Sequence, residues 1–308
     1  MCNFSDNGHA FMFQGVGLEY KKYFHSLQEE HKRILESFFS RCKSTIGVDL
    51  PANLTEEDES SQNSSFVDLI AIFTINCAVY DIYIRNGLKP DFFLGYSMGL
   101  YTALVSGGAI TFEQGLQLLA GLYKALALEN TRFRGGMAII IGLTYGEVDE
   151  IIKKVQLEDK VEIASENNSS CIVISGHKES VEKVMEAADN EGALRTKDID
   201  VLFPYHSRFV KNGSDAYVSY AEKFDIKDSS VPIISSFDQN IVINRNDIMK
   251  EIKRCLTGRM FWKRSIEKVA GAGINSFVEV GLGNSLSKLS KIINSNITFL
   301  TFDKLTGR

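Results

Sequence analysis

The segment that most constrains the fold is Leu94-Gly95-Tyr96-Ser97-Met98-Gly99, in which a serine has a glycine two residues to either side. The apolar run before it, Pro90-Asp-Phe-Phe-Leu-Gly95, reads as a short buried strand, and a helix is expected directly after it. A chain that leaves a strand and enters a helix within a few residues must turn sharply. It needs neighbours without side chains, because the turn is strained and the helix packs close. The helix N-terminus would put free N–H groups and a partial positive charge beside the Ser97 oxygen, which suits a developing oxyanion. A glycine-rich turn with a helix-capping serine fits the same letters. The flanking strand and helix favour the nucleophile.

An earlier apolar run, Ala10 to Phe13, ends in Gln-Gly-Val-Gly-Leu (14–18) and predicts a strand and a tight turn. Helical periodicity follows through Leu27, Ile34, Leu35, Phe38 and Phe39, then an acidic, Ser/Asn-rich loop over 52–65. Helices are expected over about 66–85 and 112–129. From Met137 the order is strand (137–143), helix (145–155), strand (161–165), strand (171–175), helix (178–191), strand (194–200), the split β-α-β unit of ferredoxin-like domains. Beyond His206 come strands near 231–235, 276–279 and 298–301, and helices near 246–256, 262–270 and 284–293. The expected fold class is α/β: a large, discontinuous α/β-hydrolase-like domain (1–133 and 201–308) with a small ferredoxin-like α+β domain (134–200) inserted.

A net charge of -5 argues against a general nucleic-acid binder. Five scattered cysteines with no C-x-x-C pair fit free thiols, and no metal site is expected. The most apolar stretch, Phe66 to Ile84, carries Asp68, Asn76 and Asp81, which suits a buried helix better than a bilayer span. The N-terminus lacks a signal-peptide pattern, so a cytoplasmic protein without a membrane partner is expected. A monomer is expected too.

A serine nucleophile needs a base, and there are five histidines. His9 is read as part of a loose N-terminus, His25 and His31 as the solvated face of a helix, and His177 as a strand-to-helix junction. His206, in Val-Leu-Phe-Pro-Tyr-His-Ser, combines location in the large domain with a loop position suited to a base. A capping histidine fits that position as well.

Six ordered landmarks then bring the chain close to a known family. Phe11-Met-Phe-Gln-Gly-Val-Gly resembles F-x-F-P-G-Q-G, and Leu94-Gly-Tyr-Ser-Met-Gly-Leu-Tyr-Thr-Ala-Leu-Val resembles G-H-S-x-G-E-Y-x-A-L-V. Ile174-Ser-Gly-His-Lys, Phe203-Pro-Tyr-His, Phe261-Trp262 and Val278-Glu-Val-Gly-Leu-Gly complete the series. The chain thus resembles the malonyl-CoA:acyl carrier protein transacylases, which include the acyltransferase domains of polyketide and fatty-acid synthases.

That resemblance implies a Ser97–His206 dyad working through an acyl-enzyme, with His206 oriented by the backbone carbonyl at Cys255. It implies an oxyanion hole from the amides of Met98 and Val16, an acyl pocket formed by Tyr96, Leu122, Tyr205 and Asn167, no bound cofactor, and a phosphopantetheine-linked substrate, CoA or holo-carrier protein. The chain departs from the family at Val16 for glutamine, Tyr96 for histidine and Leu100 for glutamate. It also has Leu122 where malonyl-handling members hold the free carboxylate with an arginine. A buried carboxylate without that partner loses a charge-assisted bidentate bond. The main expectation is therefore transfer of a non-carboxylated acyl group in polyketide or fatty-acid-type biosynthesis. The alternatives are an acyl-carrier-protein hydrolase, a malonyl-CoA:acyl carrier protein transacylase in which Lys124 or Arg132 takes the arginine's place, and an inactive docking homologue. A lipase or esterase with Asp198 or Asp200 as third triad member fits the landmark order poorly. The basic residues Arg254, Arg259, Lys263 and Arg264 are the expected docking rim for an acidic acyl carrier protein; an ordinary solvated face explains them equally well.

Overall fold

The computed structural model describes residues 8–16, 27–50, 62–129 and 134–306. The tip of the expected turn at Gly17 and Leu18, most of the acidic loop, His25, Cys2 and Arg132 lie outside these residues. Strand β1 (His9–Phe13) is buried along its whole length. Helices α1 (Glu29–Ile46) and α2 (Gln62–Arg85) follow, then β2 (Pro90–Gly95), α3 (Gly99–Ser106) and α4 (Phe112–Glu129). Helix α2 begins at Gln62, inside the segment expected to be loop.

The next block is β3 (Gly135–Ile141), α5 (Tyr145–Lys154), β4 (Val161–Asn168), β5 (Cys171–His177), α6 (Lys178–Asn190) and β6 (Arg195–Ile199). The remainder is α7 (Lys211–Ala221), β7 (Ile233–Ile234), β8 (Ile241–Val242), α8 (Arg245–Arg254), α9 (Trp262–Gly271), β9 (Ser276–Val280), α10 (Ser285–Ser290), β10 (Thr298–Leu300) and α11 (Phe302–Thr306). Helix α7 starts on a polar run, Lys-Asn-Gly-Ser-Asp, with Gly213 inside it. Only Gly213, Ser214, Tyr217 and Ala221 of that helix are buried.

Two sheets result. The larger has the order β10-β9-β1-β2-β7-β8, parallel except for the β7–β8 pair. β1 lies between β2 and β9, and apolar side chains pack on both its faces, so its residues are apolar without alternation. On one face Phe11 and Phe13 meet Phe93, with Tyr80 and Tyr83 of α2 edge-on to Phe11 at 6.0 and 6.2 Å. On the other, Ala10, Met12 and Leu94 pack with Trp262, Ile266 and Val269 of α9. Helix α2 is apolar and long enough to cross a bilayer, but Ile70, Ala71, Phe73, Ile75, Ala78 and Ile82 are core residues, as expected from its polar interruptions.

The smaller sheet has the order β4-β5-β3-β6, fully antiparallel, with its own apolar cluster around Ile140, Val148, Ile163, Ile174 and Val181. One seam ties it to the segment after α8: Met260 N donates to Ala164 O (2.9 Å) and Glu166 N to Met260 O (3.0 Å).

Candidate active site

The C-terminal ends of β1, β2 and β9 lie side by side, with Phe13 in register with Gly95 and with Val280. Ligand sites in parallel sheets form at this end of the strands. Here the chain turns from β2 into α3. Ser97 has φ 54°, a left-handed conformation that costs a non-glycine residue on the order of 1 kcal/mol. The two glycines are explained by distances: a Cβ on Gly95 would lie 2.5 Å from Leu100 N, and one on Gly99 2.2 Å from Phe13 O. Tyr96 N donates to Phe13 O (3.0 Å) and the Ser236 hydroxyl to Gly95 O (2.8 Å), so the elbow is pinned from both neighbouring strands.

The histidine comes from the opposite direction. His206 also has a positive φ, 58°, and its own N–H donates to Leu256 O at 2.6 Å. Its Nε2 lies 2.8 Å from Ser97 Oγ, and its Nδ1 lies 3.1 Å from the carbonyl oxygen of Gly258. A carbonyl only accepts, so this contact places the proton on Nδ1 and leaves Nε2 free to take the serine proton. The orienting carbonyl is therefore that of Gly258, not Cys255. Cys255 still has helical dihedrals at the end of α8, and its thiol donates to Ile252 O. The chain must turn through three further residues before a carbonyl faces the ring. His206 is 3% exposed, and burial lowers its pKa to about 4, against the upward pull of the Gly258 contact.

The loop after β1 approaches the elbow closely, since a Cβ on Gly15 would lie 2.5 Å from Tyr96 O and 3.3 Å from Ser97 Cβ. The amides of Val16 and Met98 have no acceptor among the described residues, which leaves both available to a ligand.

Of the four expected pocket residues, two are brought together: the Tyr96 hydroxyl donates to Asn167 Oδ1 (3.0 Å), and Ser165 donates to the same oxygen (2.7 Å). The Tyr96 ring stands edge-on to Trp262 at 5.3 Å. Leu122 and Tyr205 are instead part of the main apolar core; Leu122 is fully buried and Tyr205 packs edge-on to Phe203 at 5.8 Å.

Two of the expected docking cations are engaged within the fold. Arg254 pairs with Asp238, and the Arg259 guanidinium donates to Ile163 O and the Tyr145 hydroxyl. Arg264 lies over the Phe261 ring at 4.4 Å, while Lys263 is in the first turn of α9. The rejected histidines also differ from expectation. His9 is a buried residue of β1 with Nδ1 2.8 Å from Ser276 Oγ, and His31 is buried against Phe302.

A small cavity beside the elbow, about 10 Å³ and so room for about one water, is lined by Ser97, Ser236, Phe237, Met260 and Glu251. Sequence reasoning passed over Glu251. The signal was its position with Ile248, Ile252 and Cys255 on the apolar stripe of α8. It is 4% exposed, and burial raises its carboxyl pKa to about 7, opposed by the Ser235 hydroxyl and Arg254. A raised folded-state value means the native protein keeps a proton that the unfolded chain gives up from about 4.5 upward. The contribution is complete below pH 4.5 and lost as pH rises through about 7. Glu251→Gln is therefore expected to be more stable than the parent at pH 8, by up to about 3 kcal/mol, and equal to it at pH 4.5. Urea unfolding at the two pH values measures this; a variant destabilised at pH 8 would show that the carboxylate is welcome there.

The acyl transferase domain family matches residues 33–256. The malonyl CoA-acyl carrier protein transacylase of Bacillus subtilis is 28% identical over 94% of this chain and 91% of its own length. The solved transacylase of the same name from Coxiella burnetii superposes with a TM-score of 0.88 at 27% identity, covering 98% of this chain and 96% of that one. The one from Clostridium perfringens gives 0.83 at 28% identity, over 97% and 94%. The mixed α/β architecture is theirs, and the matched residues take in Ser97 and His206. The chain belongs to the acyl transferase domain family.

Proposed function

We propose that this protein moves an acyl group between thioesters of CoA and an acyl carrier protein through an ester on Ser97. The observation that carries it is the 2.8 Å contact between Ser97 Oγ and His206 Nε2, with Nδ1 held by the Gly258 carbonyl. Ser97 Oγ attacks the thioester carbonyl while Nε2 takes its proton, and the charged oxygen is received by the Met98 and Val16 amides. Collapse breaks the C–S bond, and the departing sulfur takes the proton back from Nε2. A second thiol then repeats the steps in reverse and frees Ser97. His206 needs no acid partner, because a carbonyl already fixes its tautomer.

The names of the relatives favour malonyl as the acyl group, the alternative reading of the sequence, over the non-carboxylated group that was its main one. They also favour an acyl carrier protein as acceptor. One observation supports the non-carboxylated group: Leu122, at the arginine position, is fully buried in the apolar core. The chain order and the two sheets support a division into a larger unit (1–133 and 201–308) and a ferredoxin-like one (134–200).

The test is a panel of malonyl-, acetyl- and longer acyl-CoA thioesters read by intact mass, with and without holo-carrier protein. Malonyl on Ser97, passed on to the carrier, is the expected outcome. If acetyl or longer groups load, malonyl does not, and Leu122→Arg gains malonyl loading, the non-carboxylated reading replaces it. Free acid released at the same rate without an acceptor would make the protein a hydrolase. The melting temperature of Leu122→Arg belongs in the same experiment, since an unpaired guanidinium in the core costs several kcal/mol.

A further inference from the structure

The loop that brings Val16 to the elbow is anchored by groups that the mechanism above does not use. Gln14, the first residue after β1, is 3% exposed, and its side-chain amide donates to Glu279 Oε1 at 2.6 Å and toward Leu282 O at 3.4 Å. Glu279 belongs to β9, in register with Met12, and is fully buried. Its carboxylate is held in turn by the amides of Leu286 (2.9 Å, on Oε1) and Ser287 (2.8 Å, on Oε2). The main chain of Gln14 is fixed from the other side, where Asn76 of α2 donates to its carbonyl at 2.9 Å. Gly281 leaves room for both groups, since a Cβ there would lie 2.2 Å from Gln14 Oε1 and 2.8 Å from Asn76 Oδ1. The next residue, Gly15, is the one pressed against Tyr96 O and Ser97.

Only Gly15 separates this clamp from the Val16 amide. A hydrogen-bond donor to an oxyanion works only if it is already in place when the charge forms, because moving it then consumes the stabilisation it offers. A loop joined at one end to the end of a strand would not hold such a position by itself. Here the side chain of Gln14 is fastened to β9 and its carbonyl to α2, so the peptide that follows has little freedom. We infer that Gln14, Glu279 and Asn76 are positioning residues for the oxyanion site: they hold the 14–16 loop so that the Val16 amide faces the carbonyl attacked by Ser97. This rests on the acyl-transfer reading above. It goes beyond it in assigning the geometry of the anion site to a buried clamp between β1, β9 and α2.

The experiment compares the parent with Gln14→Ala, Asn76→Ala and Glu279→Gln on two CoA analogues. One is a trifluoromethyl ketone, which adds Ser97 to give a tetrahedral oxyanion; the other is a thioether, which binds without reacting. Gln14→Ala and Asn76→Ala are expected to weaken the ketone about 10- to 100-fold, less than the roughly 100- to 1,000-fold lost when an oxyanion donor is removed outright, and the thioether less than about threefold. The acylation rate should fall with the ketone affinity while KM holds. Glu279→Gln keeps an acceptor for Gln14 and should fall between them and the parent, provided its melting temperature shows that it folds. Equal losses on both analogues would reduce the clamp to a structural role, and no loss on either would overturn the inference. Failure of the parent to form an acyl-Ser97 or a ketone adduct would instead strike the functional reading itself.

Discussion

Ser97→Ala and His206→Ala are each expected to lower acyl transfer by on the order of 10⁴-fold or more, and the double variant to lose little beyond the worse single one. A nucleophile and its base act as one unit, so removing either removes the covalent route. What survives is binding and the two amides. The magnitude follows from the geometry: at 2.8 Å, Nε2 is already in hydrogen-bond reach of the proton it must take, and its second nitrogen is committed to Gly258. The pH profile supplies an independent check. Burial holds His206 in its neutral form down to about pH 4, so the acid limb of kcat/KM should fall well below the 6.5 of a free imidazole. Stability follows the same group with a definite sign. Between 6.5 and about 4 the unfolded chain binds a proton that the native state refuses, so the native state loses up to about 3 kcal/mol as pH drops through that window. A measured acid limb at 6.5, with full activity retained in His206→Ala, would remove the histidine from the chemistry.

The elbow was legible in the sequence because its constraints are local: an apolar strand, two glycines and a helix fall within about a dozen consecutive residues. His206 was legible by elimination, although the reasons for rejecting its rivals were partly mistaken, since His9 and His31 are buried and packed. The orienting carbonyl was misplaced because no side chain marks it. It depends on where the chain turns after α8, and the seam between Met260 and β4 that sets this turn joins residues about a hundred positions apart. Glu251 and the Gln14–Glu279 clamp were missed for a related reason. Each is an ordinary polar letter in the sequence, and becomes informative only when β1, β9 and α8 are assembled around it. The pocket residues divide in the same way. Tyr96 and Asn167 form one hydrogen-bonded pair across the two sheets, whereas Leu122 and Tyr205, placed by alignment with relatives, lie in the apolar core.

Gly99→Ala is expected to abolish acyl loading and to lower stability by more than about 3 kcal/mol. Its added Cβ would sit 2.2 Å from Phe13 O, 2.8 Å from Phe13 C and 3.1 Å from Gln14 O, all of them main-chain atoms. A flexible side chain could swing aside from such a contact, but this one faces the end of β1. That strand is hydrogen-bonded to β2 on one side and β9 on the other, so relief requires pulling the central strand out of register or tilting α3 away. Tilting α3 moves the Met98 amide and Ser97 away from His206, and shifting β1 moves the Val16 loop. Either response costs both stability and chemistry, because fold and site share the same three strand ends. Gly146→Ala, in the first turn of α5 with nothing within 4 Å of the new methyl, is the matched control. It should leave loading unchanged and raise stability by roughly 0.5–1 kcal/mol through helix propensity and lost chain entropy. Thermal melts and intact-mass loading of the two variants measure the contrast. If Gly99→Ala melts with the parent and still acylates, the close approach of α3 to β1 is not what builds the site.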